Sequence, residues 1–275
     1  MKPSIIYRET STPKFEDLKF MQPMISFITS SAWDLIALVW FLCCYKGYLY
    51  YAKLKSYDTP CLANVLHRYR YEWMLHMIER EVRIADETTI ANLERSVSFF
   101  ASTTILIIAG LITLLGSGEV VTKVLSNIPI VTTAVNSWTF KIMLLIVVFL
   151  YAFFKFTWSL RQYGFLSIMV NSAPTPADGC TVEAKQFHAE RIALMCSKAA
   201  GNFNLGLRTY YFSISVLAWF ISPGLFMFSA AFVAFILYRR EFRSETLKNL
   251  MMNLGEVGKI NFNRKINIDS KRNIK

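Results

Sequence analysis

The sequence predicts an all-α protein: a polytopic transmembrane helix bundle with four long apolar regions, accompanied by amphipathic cytosolic helices. The fourth region is either one kinked span or a hairpin. Three observations carry this. Hydrophobic residues make up 54% of the 275 positions and charged residues only 18%, with a mean hydropathy of +0.35. The apolar residues fall in runs near the ~20 residues that a spanning helix needs. The net charge is nevertheless +11, and the basic residues gather between and after those runs. An ordinary soluble domain carries about a quarter charged residues, and a disordered chain far less apolar material. A nucleic-acid-binding surface is basic and polar rather than built of greasy runs, so no nucleic-acid partner is expected. The expected partners are the lipid bilayer and either a membrane protein or a second copy of the chain.

The apolar regions run from about Asp34 to Ala52, Val97 to Leu115, Phe140 to Leu160 and Thr209 to Tyr238. The fourth holds 30 residues without a charge and is interrupted by Ser222-Pro223-Gly224, a strong turn signal. Charge placement favours the hairpin. Segments 53–96 and 161–208 hold seven and five Lys or Arg, and segment 117–138 holds one. Lys and Arg collect in cytoplasmic loops, so the first and third connections are expected inside and the N-terminus outside. The segment 239–275 holds ten basic and four acidic residues, more than half of the surplus charge. Only a turn near Pro223 returns it to the cytoplasm. The expectation is a multi-pass protein of the inner (plasma) membrane with a cytoplasmic C-terminus. Each half of the hairpin is short, about 22 Å at ~1.5 Å per residue, so a re-entrant form stays open.

Three domains are expected: an irregular N-terminal arm over 1–33, a membrane bundle over 34–244 and a basic disordered tail over 245–275. Within the first connection, Leu66, Tyr69, Trp73, Met77 and Ile84 share one helical stripe. An amphipathic helix over 62–85 follows, with a Glu79–Arg83 pair on its polar face. The segment is electrically neutral, so it is expected against the bundle rather than adhering to lipid by charge. Residues 182–207 form a second candidate helix, preceded by a loop over 172–179.

In the second region Ser98, Ser102, Ala109 and Thr113 lie on one face. Small residues allow close helix approach in lipid, so this face reads as a helix-packing seam; a hydroxyl-lined solute path is the alternative. Lys155 lies inside the third region, and charges in spans point to function by default. Snorkelling or pairing with Glu94 is the favoured account, and a binding role the alternative. Asp34 sits in the first turn of its helix, where the dipole stabilises a carboxylate. Arg161, Arg208 and Tyr211 sit at the expected inner face. They read as interfacial anchors or as a cluster for an anionic ligand. Lys155, Arg161, Arg208, Tyr211 and Glu94 are thus the candidate binding residues.

Catalytic constellations are lacking: no HExxH, GxSxG, P-loop or GxGxxG is present. Five cysteines include no C-x-x-C, and His67 and His76 point about 180° apart on a helix. No metal, cofactor or catalytic residue is expected. The leading expectation is a non-enzymatic accessory or assembly subunit. The alternative is a small transporter or channel for an anionic or lipid-like solute.

Several blocks carry a resemblance. Asn92-Leu-Glu-Arg-Ser-Val-Ser-Phe-Phe-Ala-Ser-Thr103, Tyr151-Ala-Phe-Phe-Lys-Phe-Thr-Trp-Ser-Leu-Arg161, Asn202-Phe-Asn-Leu-Gly-Leu-Arg-Thr-Tyr-Tyr-Phe212 and Tyr238-Arg-Arg-Glu-Phe-Arg-Ser244 are the longest. With Trp219 and Pro223, they resemble an uncharacterised family of bacterial and plant membrane proteins, the domain of unknown function, family five-nine-nine. The resemblance runs from about Asp34 to Ser244 and implies a multi-pass inner-membrane protein with no assigned activity. A histidine is common in that family where Asn202 stands here.

Overall fold

The computed structural model describes residues 15–117 and 135–252. Seven α-helices and one short 3-10 turn make up the described architecture: α1 (Phe15–Asp58), α2 (Leu62–Ile78), α3 (Ile84–Gly116), α4 (Val135–Asn171), the turn Pro176–Asp178, α5 (Val182–Ala218), α6 (Pro223–Phe242) and α7 (Glu245–Met252). Three helical stretches are long and apolar enough to cross a membrane: Ala32–Tyr57, Ile84–Gly116 and Trp138–Asn171. The protein is a multi-pass membrane helix bundle.

Side-chain contacts fix the directions. Helices α3 and α4 are antiparallel, because Glu87 accepts from Ser167 and, further along, Phe100 meets Phe156. Helices α4 and α5 are antiparallel as well: Ser159 donates to the Ala199 carbonyl, and Lys141 reaches the Trp219 carbonyl. Helix α1 runs antiparallel to α5 (Phe41 with Phe212, Tyr45 with Thr209) and parallel to α6 (Trp40 with Met227, Lys55 with Tyr238). One end of the bundle therefore gathers Asp34, Lys141 and Trp219. The opposite end gathers Lys55, Arg208 and Tyr238.

The hairpin expected in the fourth apolar region is present. Helix α5 ends at Ala218 and α6 begins at Pro223. Ser222 caps α6 by accepting from the Leu225 N–H at 3.1 Å, and Pro223 fills the first helical position, where a missing N–H costs nothing. The two helices then return side by side, with Ser229 against the Ser215 carbonyl and Arg208 against Glu241. The candidate helix over 182–207 is not separate. It runs uninterrupted into the hairpin as the first part of α5, started by Thr181, whose hydroxyl accepts from the Ala184 N–H.

Three helices are longer than a bilayer's hydrocarbon core is thick. At ~1.5 Å per residue, α3 is about 50 Å long and α4 and α5 about 55 Å, against a hydrocarbon core of ~30 Å. Their projecting ends form a second layer with α2, around Met74, Met77, Ile78, Ile90, Leu166 and Ile192. The membrane-level core is built on Phe41, Leu145, Phe212, Val216, Trp219 and Phe226. Outside it, Phe154, Leu106, Ile214, Leu217, Phe228 and Phe235 are exposed, the last four on the hairpin.

Three boundaries differ from expectation. The arm over 1–33 is helical from Phe15 onward: past Pro13 only Pro23 opposes a helix, and Glu16 and Asp17 favour its first turn. The first part of the tail, residues 245–252, is α7, capped by the Ser244 hydroxyl and held by buried Leu247 against Val65. The amphipathic helix stops at Ile78 rather than near 85, and the Glu79–Arg83 pair does not form. Arg83 instead donates to the carbonyls of Val170, Ala173 and Pro174, orphan acceptors where α4 ends. Ile84, assigned to the same stripe, opens α3 and is exposed. Residues 1–14 of the arm, 118–134 of the outer connection and 253–275 of the tail lie outside the described residues.

Candidate functional site

The densest polar cluster at membrane level lies where α1, α5 and α6 meet at the Tyr238 end. Arg208 on α5 forms a 2.8 Å salt bridge with Glu241 on α6, and its guanidinium lies 5.5 Å from the ring centre of Tyr48 on α1. The Tyr48 hydroxyl is buried and has no hydrogen-bond partner. One turn along, Tyr45 shares a hydrogen bond with Thr209 and has Tyr151 and Arg208 among its electrostatic neighbours. Tyr211 accepts a hydrogen bond from Arg240 at 2.9 Å. On the flank, the Lys55 ammonium donates to Tyr238 at 2.8 Å and to Tyr51 at 3.1 Å. It also lies against the rings of Tyr51, Tyr238 and Phe242, a stacking that suits a cation leaving water.

Of the candidate binding residues, the structure brings Arg208 and Tyr211 into this cluster. Lys155 is half-buried over the Tyr151 ring at 5.5 Å, and Tyr151 in turn neighbours Tyr45. Glu94 and Lys155 form no salt bridge. Arg161 is exposed and lies against Phe165, apart from Arg208. Ser98, Ser102, Ala109 and Thr113 are all exposed. The intrachain seam of α3 uses Val97, Ala101, Thr104 and Leu111 instead, about 140° away around the helix at 100° per residue.

A second charged cluster, missed in the sequence, holds the hairpin turn at the other end. Lys141 is buried and donates to the Trp219 carbonyl, and the Trp219 indole N–H donates to Asp34 at 2.8 Å. Asp34 and Lys141 each start an apolar region at the same expected end. A basic and an acidic residue at equal depth in two spans are a pairing signal, and that signal was readable.

Between the two clusters the space among α3, α4 and α5 is filled by rings. Phe100, Phe156, Phe203 and Tyr210 contact one another, and Phe149 meets Tyr210 edge-on. Tyr210 shares a hydrogen bond with buried Thr104. Phe156 lies so close to Gly206 that no β-carbon fits there. Above the rings, Asn202 donates to Gln162 at 2.7 Å. In the second layer, buried Asp86 accepts from Trp73 at 2.6 Å and Arg80 at 2.9 Å, tying α2 to the start of α3. His67 and Arg70 both reach Ser197 on α5. Among the described residues no three His, Cys, Asp or Glu side chains converge as metal ligands do.

A chain of long apolar helices with charge clusters bracketing an aromatic interior defines a polytopic membrane protein. It belongs to the family described as protein of unknown function, DUF599, whose model matches residues 36–246. No curated protein and no solved structure matches the chain.

Proposed function

We propose that this protein is a non-enzymatic accessory or assembly subunit of the inner (plasma) membrane. It makes five passes, with the N-terminus outside and the C-terminus cytoplasmic. The observation that carries the reading is a contrast on α3. Its inward face is spent on the aromatic interior through Phe100, Ala101 and Thr104, whereas Ser98, Ser102, Ala109 and Thr113 face outward and are exposed. Among the described residues no helix covers that stripe, and a stripe of small residues suits the close approach of another transmembrane helix. The orientation is supported by the Lys and Arg bias of the connections and by the α5–α6 reversal.

The test is native mass measurement after gentle extraction, on the wild-type chain and on Ser102→Leu with Ala109→Leu. Leucine at an exposed position in lipid is neutral to the fold, so the variant keeps its thermal midpoint while the assembled species is lost. A wild-type monomer under all conditions, or an assembly indifferent to both leucines, overturns the reading. A tag at Lys275 reachable from outside intact cells overturns the orientation alone.

A second reading, a small transporter or channel for an anionic or lipid-like solute, draws on the unpartnered Tyr48 hydroxyl beside Arg208 and on the helix break at the hairpin. Proteoliposome flux that is unchanged in both Lys155→Ala and Arg208→Ala ends it.

A further inference from the structure

We propose that one anionic phospholipid binds in a furrow between α1 and α6, its phosphate held by Arg239, Arg243 and Lys248. The inference does not depend on the assembly role.

The furrow has two parts. Its apolar part is an open groove of about 570 Å³ over Cys43, Gly47, Tyr51, Ala234 and Tyr238. Cys43, Gly47 and Tyr51 recur every four residues on α1, as Ala234 and Tyr238 do on α6, so each helix gives one stripe to one side. The helices run parallel, and small residues face the groove at its middle. A β-carbon built on Gly47 meets nothing within 4 Å. The groove lies on the exposed apolar side of α1 and α6; in the five-pass arrangement that side faces lipid, where acyl chains are the available occupant.

The basic part is a cleft of about 500 Å³ at the α6–α7 junction. It is lined by Thr59, Phe242 and Met251 together with Arg239, Arg243 and Lys248. These three cations are exposed and, among the described residues, make no ion pair or side-chain hydrogen bond. Arg208, by contrast, is neutralised by Glu241. The cleft is built rather than incidental: Ser244 caps α7, Leu247 is buried, and Tyr69 donates to the Leu250 carbonyl at 2.8 Å. Lys248 is thereby fixed opposite the arginines.

The two parts meet at one point. Tyr51 and Tyr238 end the groove, Phe242 begins the cleft, and the Lys55 ammonium lies against all three rings. From Cys43 to Thr59 the furrow spans about 24 Å at ~1.5 Å per residue. An apolar trough leading into unpaired cations at the membrane boundary matches an amphiphile with a negatively charged head. Guanidinium groups pair with phosphate oxygens in a forked geometry, and basic residues gathered near an anionic surface strengthen the attraction together.

The test is native mass spectrometry of the full chain in detergent, titrated separately with phosphatidylglycerol, phosphatidylcholine and inorganic phosphate. The wild type is expected to retain one phosphatidylglycerol at least tenfold more strongly than phosphatidylcholine. Combined R239Q, R243Q and K248Q is expected to abolish that preference with an unchanged thermal midpoint. Gly47→Leu with Ala234→Leu is expected to weaken phosphatidylglycerol retention at least fivefold by filling the groove. Equal retention by the glutamine variant overturns the site. Inorganic phosphate that binds as strongly as phosphatidylglycerol, indifferent to the leucines, overturns the lipid as occupant.

Discussion

The buried ammonium of Lys141 donates to the main-chain carbonyl of Trp219 at 3.0 Å and lies 5.3 Å from the centre of the same residue's ring. A single lysine thus holds both the backbone and the side chain of the residue at which the hairpin turns. Asp34 completes the arrangement by accepting from the indole and by its field on Lys141. The carboxylate on α1, the ammonium on α4 and the end of α5 form one electrostatic unit. Asp34→Leu leaves the indole N–H without its acceptor and the ammonium without its acidic neighbour. The expected loss is about 2–4 kcal/mol. Lys141→Met added to Asp34→Leu should cost less than the sum of the two single changes. Thermal unfolding in detergent of the two single variants and the double variant closes the cycle; strict additivity would contradict the unit.

Gly206 and Phe156 make a second coupled pair. Gly206→Ala forces a methyl into the Phe156 ring, and overpacking of this kind costs about 1–3 kcal/mol. Phe156→Leu in the same chain should recover part of that loss, although Phe156→Leu alone destabilises. The check is again the thermal midpoint, read on four proteins.

Arg83 closes the end of α4 through three carbonyls. Arg83→Met removes their charged donor, at about 1.5–3 kcal/mol. The effect should be local: amide exchange over 171–182 quickens first, while the amides of α6 keep their protection. Uniform loss of protection would mean that Arg83 supports the whole bundle.

The cysteines outside the spans differ in reactivity in a stated order. Burial pushes the Cys61 and Cys196 thiols up from their ordinary value, so at any neutral pH their thiolate fraction is reduced. Cys180, in the loop before α5, is half-exposed. A water-soluble maleimide should modify Cys180 first, and Cys61 and Cys196 only after unfolding. Raising the pH should not bring the buried pair forward while the fold holds. Peptide mapping by mass reads the sequence of labelling.

How much of this was legible follows from where the determinants lie. The hairpin was readable because Ser222 and Pro223 are local signals and the Arg run beyond Tyr238 requires a reversal. The end of α2 was not. The stripe from Leu66 continues in phase to Ile84, and the interruption is set by Arg83 bonding to carbonyls about ninety residues on. The inward face of α3 was ambiguous for a different reason. In lipid, hydropathy does not distinguish the face towards Ala101 from the face towards Ser102; the partner helices decide. Arg208 was readable as a residue of interest, but Glu241 was not its evident partner, because only the hairpin brings the two together. Asp34 had a local explanation in the dipole of a helix start, which α1 beginning at Phe15 removes; with that explanation in hand, the matching depth of Lys141 was passed over.

Because α3, α4 and α5 continue without a break from the membrane level into the layer that holds α2, each acts as a stiff rod with its fulcrum in the bilayer. A tilt of a few degrees at the Trp219 end swings the Met74–Ile192 layer sideways by ångströms, with no joint to absorb it.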